Sequence, residues 1–261
     1  MRGLPNLGAT CYFNTAVQCL AHVPYLTNTL LKSPYEGECD LTREFSRVVY
    51  ALWAEDGAPD PRGLLLAFRT RFPSFDPGQH DAQEAFLCLV DALEKSLGKE
   101  FIKKIFTGRE TQVTTWPGGE SKRTEDFVTV VFSLTEPCEV TLESLMKSRG
   151  KPVEIQGYKD DSGAEHIAHV TTRVTDWPQV ATFTFACYNG HKPIILLPEE
   201  YEGRKLFAVV IHMGGPHGGH YALAVRFKDD WYIKDDGSVT KMDSGPKRGA
   251  FYMALYRLQN S

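Results

Sequence analysis

The spacing of hydrophobic positions changes near residue 106. Before it, Phe13, Val17 and Leu20 recur at helical intervals and predict a helix over Thr10–Ala21 that stops before Pro24. Leu41, Phe45, Val48, Val49 and Leu52 mark a second amphipathic helix, and Leu64–Phe72 a short third. Ala82, Phe86, Leu89, Val90, Leu93 and Leu97 mark a fourth. After Phe106 the chain reads as strands rich in Val, Ile, Thr, Phe and Tyr: Phe127–Leu134, His169–Thr175, Thr182–Tyr188, Lys205–Met213, Tyr221–Phe227, Trp231–Lys234 and Ala250–Leu258. Turn signals separate them at Pro117-Gly118-Gly119, Asn189-Gly190, Gly214-Gly215-Pro216 and Asp236-Gly237. The polar stretch Lys151–Glu165 reads as an exposed loop or the tip of an extended hairpin. Helices first and strands later predict an α+β fold, not alternating βαβ units. With no repeat, low-complexity tract or linker, residues 1–261 read as a single domain.

Composition narrows the classes. The 261 residues are 42% hydrophobic, enough for a sizeable core, and the formal net charge is −4. Apolar runs such as Val48–Ala54 are far short of the roughly 18 residues a membrane span needs. Pro5, Asn6 and Asn14 break up the N-terminus where a signal peptide would be apolar. No basic stripe suggests nucleic acid. No partner is expected there, nor at a membrane. The cysteines at 11, 19, 39, 88, 138 and 187 form no CxxC pair, which argues against a zinc ribbon and for free thiols in a reducing compartment, cytoplasmic or nuclear.

Three segments carry candidate chemistry. In Gly3-Leu4-Pro5-Asn6-Leu7-Gly8-Ala9-Thr10-Cys11, the cysteine falls in the first turn of the first helix, where unpaired N–H groups and the positive helix end favour a thiolate. Asn6, upstream, brings an amide that could stabilise an oxyanion. Gly218-Gly219-His220-Tyr221 places a glycine-flanked histidine at a strand start, suited to act as base. One hairpin later, Asp235 or Asp236 lies beside it, and alternation along a strand lets only one face the ring. His217 reads as a loop residue and His212 as a strand residue, packed or exposed. In Gln79-His80-Asp81-Ala82-Gln83-Glu84, Asp81 and Glu84 form a capping box and also put two carboxylates on one helix face, a receptor for arginine. Each segment alone has a plainer reading: a core thiol, a loop histidine, a helix cap. Their combination favours chemistry.

Together the segments resemble the ubiquitin-specific protease family of papain-like cysteine proteases. Gly3–Asn14 is similar to its cysteine box, Gly219-His220-Tyr221 with Trp231–Asp236 to its histidine box, and Gln79–Leu87 to its helix-opening motif. The resemblance implies a helical thumb (about 1–106), fingers and part of a palm (107–190) and the rest of an antiparallel palm (191–261). It implies Cys11 as nucleophile, His220 as base, Asp235 as its orienting carboxylate and Asn6 as oxyanion donor. Gln79, Asp81, Glu84 and Tyr221 would hold the tail of ubiquitin or a ubiquitin-like protein, and Gly214–Gly219 would move aside to admit it. A monomeric catalytic domain without cofactor is expected, with a catalytically weak ubiquitin-binding module of the same fold as the alternative. Two departures stand out. The fingers lack the CxxC pairs that bind zinc in many members, and Lys234 replaces an aromatic before the aspartate pair.

Overall fold

A computed structural model describes residues 1–54, 58–187, 192–215 and 218–259. The expectations for Tyr188, Asn189-Gly190, Pro216 and His217 lie outside these. Six helices come first: α1 (Cys11–Ala21), α2 (Pro24–Lys32), α3 (Asp40–Trp53), α4 (Arg62–Arg71), α5 (Ala82–Leu97) and α6 (Lys99–Phe106). All eleven residues of α1 are buried, so it forms the centre of the thumb, packed on α5 and on the palm. The missed α2 starts at Pro24 itself. Proline ends a preceding helix but is suited to the first position of a new one, and Leu26 and Leu30 anchor it. The missed α6 follows Gly98, whose φ of 105° turns the chain after α5.

The strands form three sheets. β1 (Gly108–Trp116), β2 (Gly119–Phe127), β5 (Val153–Lys159) and β6 (Glu165–Asp176) make the fingers, in the order β2-β1-β6-β5. The stretch before residue 165 is therefore hairpin more than loop. β1 and β2 escaped the sequence reading because both faces are polar or half-exposed, so no apolar alternation marks them. No cysteine lies in these four strands. Paired threonines such as Thr111 and Thr124, and the ring cluster of Trp116, Tyr158 and His166, hold them instead.

The palm combines β3 (Val130–Leu134), β7 (Val180–Cys187), β9 (Glu200–Tyr201), β10 (Arg204–Gly215), β11 (Gly218–Phe227), β12 (Asp230–Asp235), β13 (Ser238–Met242) and β15 (Phe251–Leu258). It is antiparallel except at one edge, where β3 runs parallel to β7. A small third sheet joins β4 (Glu139–Thr141), β8 (Ile194–Leu196) and β14 (Arg248–Gly249), beside α7 (Leu142–Arg149). Both palm faces are covered. Phe207, Val210, Leu223 and Leu255 join the thumb core, while Val209, Ala224, Phe183 and Tyr256 pack with Leu142 of α7 on the other face. This is why the central strands read as continuous apolar runs. Among the described residues, no helix is long and apolar enough to cross a membrane.

Candidate active site

The cysteine loop is closed by its own polar groups. Asn6 Oδ1 accepts from the Gly8 N–H at 2.9 Å and the Thr10 N–H at 3.2 Å, and Thr10 Oγ1 accepts from the Leu7 N–H at 2.9 Å. Gly8 at φ 95° makes the turn that lets Cys11 open α1. Gly3 serves a different need: a Cβ there would come within 2.2 Å of the Asp236 carbonyl oxygen, which accepts the Leu4 N–H.

Cys11 is only 4% exposed. Burial pushes its thiol pKa up. The backbone N–H groups of Tyr221, Tyr12 and Cys11 itself oppose this, and the Asp236 charge reinforces it. Desolvation by burial thus works against the thiolate bias expected of a helix start. The same contact shows that β11 reaches the sulfur: Tyr221 follows His220, whose Nε2 lies 2.5 Å from Asp235 Oδ1. β11 and β12 pair from Phe227↔Asp230 to Leu223↔Lys234, which carries Asp235 to the strand end beside the imidazole. With Nε2 engaged, Nδ1 is the nitrogen left to move a proton.

Asp236 turns away, at φ 48°. Its Oδ1 accepts from Asn14 Nδ2 at 2.7 Å and its Oδ2 from Asn6 Nδ2 at 2.8 Å. One N–H of the Asn6 amide is thus held by the Asp236 carboxylate, and the second N–H of the same Nδ2 is left for an oxyanion. The ligating atoms of His220, Asp235 and Asp236 lie within 4.8 Å of one another. Both Asp236 oxygens accept from asparagine amides, and Asp235 bonds the imidazole, so the hydrogen bonds within the cluster account for its closeness.

A cleft of about 560 Å³ is lined by Cys11, Gln79, Asp81, Tyr221, Tyr252 and the glycines of the β10–β11 end. Gln79 spans it, donating from Nε2 to the Gly219 carbonyl and accepting the Gly219 N–H at Oε1, both at 2.9 Å. Asp81 caps α5: its Oδ1 accepts from the Gln83 and Glu84 N–H groups at 2.7 and 3.0 Å, and its Oδ2 accepts from the Tyr252 hydroxyl. Its carboxylate is thus structurally engaged before any arginine arrives. Glu84 is exposed and does not line the cleft; Gln83 does. Burial raises the Tyr221 hydroxyl pKa, and the ring lies 4.5 Å from His212 and 5.5 Å from Tyr252. Gly214 and Gly215 pair with Gly219 and Gly218, so these four described positions of the cleft rim carry no side chain.

Asn14, Gln18 and Tyr252 escaped the sequence reading, and His212, read as a strand residue, lines the cleft. Asn14 and Gln18 were visible as polar positions on an otherwise apolar helix. Lys234 is only 2% exposed, and its Nζ donates to the Arg2 carbonyl at 2.8 Å and to Gln18 Oε1 at 2.7 Å. Burial pulls its pKa down to about 7. It also lies close enough to help burial hold His22 neutral.

A sulfur at a helix start, an imidazole at a strand start and a carboxylate on that ring form the arrangement of a cysteine hydrolase. The profile of the ubiquitin carboxyl-terminal hydrolases matches residues 2–256, and the chain belongs to that family of cysteine-type deubiquitinases. Ubiquitin C-terminal hydrolase 13 of Arabidopsis thaliana is 25% identical, the match covering 92% of this chain and 25% of the relative. Ubiquitin carboxyl-terminal hydrolase 48 of Danio rerio is 28% identical, over 92% of this chain and 27% of the relative. The chain spans about a quarter of the length of these relatives. The solved Ubp8/Sgf11/Sus1/Sgf73 DUB module bound to ubiquitin aldehyde has the same fold, with a TM-score of 0.85 at 15% identity, covering 100% of this chain and 70% of that one.

Proposed function

We propose that this domain hydrolyses the isopeptide bond after the C-terminal glycine of ubiquitin or a ubiquitin-like protein. The observation that carries the reading is the Asp235–His220 bond at the start of the strand whose next N–H reaches Cys11. His220 takes the Cys11 thiol proton as Sγ attacks the glycine carbonyl carbon, and Asn6 Nδ2 with backbone N–H groups at the α1 start receives the oxyanion. Collapse expels the lysine amine, which takes a proton from His220, and a thioester remains. His220 then takes a proton from water, whose oxygen displaces Cys11 and frees the carboxylate. A rim of glycines suits a thin tail, and Gln79, Asp81 and Tyr221 line its path. Family membership supports ubiquitin as partner. The six free thiols support an intracellular setting, cytoplasmic or nuclear.

An electrophilic ubiquitin probe tests this directly. Wild type is expected to form a covalent adduct and Cys11→Ala none, while both fold alike by circular dichroism. A folded wild type that labels with neither ubiquitin nor any ubiquitin-like probe would refute the proposal. A second reading, a module that holds ubiquitin without cleaving it, draws on the burial that raises the Cys11 pKa. It predicts ubiquitin binding with no turnover of a fluorogenic ubiquitin substrate.

A further inference from the structure

The chain is acidic overall, yet one recess gathers cations. It holds about 330 Å³, where the first turn of α2 meets the start of β10, the β11–β12 turn and the end of β15. Lys205, Arg226, Lys228 and Arg257 line it together with Asp229, and Glu199 and Glu200 reach two of these cations. Two of the four are partly neutralised: Arg226 Nη1 lies 3.2 Å from Glu199, and Lys205 Nζ lies 3.7 Å from Glu200. The other two are not. Among the described residues, no carboxylate pairs with Arg257 or Lys228. Arg257 stacks over Phe207 at 5.4 Å, and Lys228 sits over Phe227 at 5.7 Å. Burial and then the charge of Arg226 lower the Arg257 pKa, so this guanidinium is held against like charge. The first turn of α2, Pro24 and Tyr25, lines the same recess, with no acidic residue in that turn and no side-chain cap. Unpaired cations, a helix N-terminus and a concave wall act together as an anion receptor.

We propose that this recess binds a small molecule bearing several phosphates. The guanidinium fork of Arg257 matches phosphate oxygens bidentately, and Arg226 and Lys228 reach a second phosphate from the β11–β12 turn. The volume suits a compact polyanion and not a folded partner. The site is separate from the cleft. His220 and Arg226 stand on the same strand six residues apart, about 20 Å at the rise of an extended chain. A bound polyanion therefore fixes the far end of the hairpin without blocking the tail path.

The test is calorimetric titration of the intact protein with sodium tripolyphosphate, and separately with citrate, at constant ionic strength. Tripolyphosphate is expected to bind wild type at least tenfold more tightly than citrate. Arg257→Gln and Lys228→Asn are each expected to weaken it at least fivefold while fluorogenic ubiquitin turnover stays at the wild-type rate. Lys228 is exposed at φ 55°, a conformation asparagine tolerates, so its variant remains informative if Arg257→Gln fails to fold. Equal affinity for citrate, or unchanged tripolyphosphate affinity in Lys228→Asn, overturns the proposal.

Discussion

Replacing Lys234 by methionine should change how stability depends on pH, and the direction follows from the structure. The Lys234 ammonium is buried and its pKa falls from 10.5 to about 7. The unfolded chain keeps the ordinary value, so between about pH 7 and 10.5 it binds one more proton than the native state. Stability therefore rises with pH across this window, by at most about 1.4 kcal/mol per unit. The ceiling over the whole window is about 5 kcal/mol. Below pH 7 both states are protonated and this contribution is lost. Lys234→Met removes the titration. It also strips a donor from the Arg2 carbonyl and from Gln18 Oε1, at about 1–3 kcal/mol for each acceptor left buried and unpaired. Urea unfolding of both proteins at several values between pH 7 and 9.5 gives the comparison. His22, its pKa lowered chiefly by burial, stays neutral throughout this range and drops out of the difference. The wild-type advantage should widen steadily as pH rises. Parallel stability profiles would refute the reasoning, since they would show that Lys234 titrates as it does in the unfolded chain.

Asp81 separates charge from scaffold. Asp81→Asn keeps an oxygen for the α5 cap, so stability should stay near wild type while KM for a ubiquitin substrate rises several-fold; Asp81→Ala should lose about 1 kcal/mol or more in urea unfolding as well. Asp236→Ala removes the acceptor of both asparagine amides and forces alanine into positive φ. Kinetics should show kcat falling more than KM rises, and a kcat unchanged in the folded variant would limit Asp236 to a structural brace. Phe183→Ala should cost about 3–5 kcal/mol by thermal or urea unfolding, because its buried ring meets those of Phe132, Trp177, Tyr201 and Tyr256.

Legibility in the sequence followed burial. Helices with one apolar face, such as α3 and α5, and palm strands covered on both faces announced themselves. α2 hid behind a proline that starts a helix as readily as it ends one, and the finger strands β1 and β2 have no apolar face to show. At the site, the motifs located Cys11, His220 and the aspartate pair, because glycine-flanked turns and a helix start leave local signals. What the motifs left hidden was commitment. No spacing reveals that the Asn6 amide is held by Asp236, that Asp81 is engaged by its own helix and Tyr252, or that Lys234 reaches the Arg2 carbonyl. Those bonds join residues far apart in the chain, and only the assembled fold decides them.

The brace around Asp236 also has a consequence for biosynthesis. Asn6 and Asp236 are 230 positions apart, and the same aspartate receives Leu4 and Asn14. During translation the segment that shapes the nucleophile loop is made some 230 residues ahead of the aspartate that holds it. Until then the thiol has neither its imidazole nor its final loop geometry. Products that stop before β15 would lack the strand between β10 and β7 as well as Tyr252 of the cleft, so the loop can be held in place only after that strand is made.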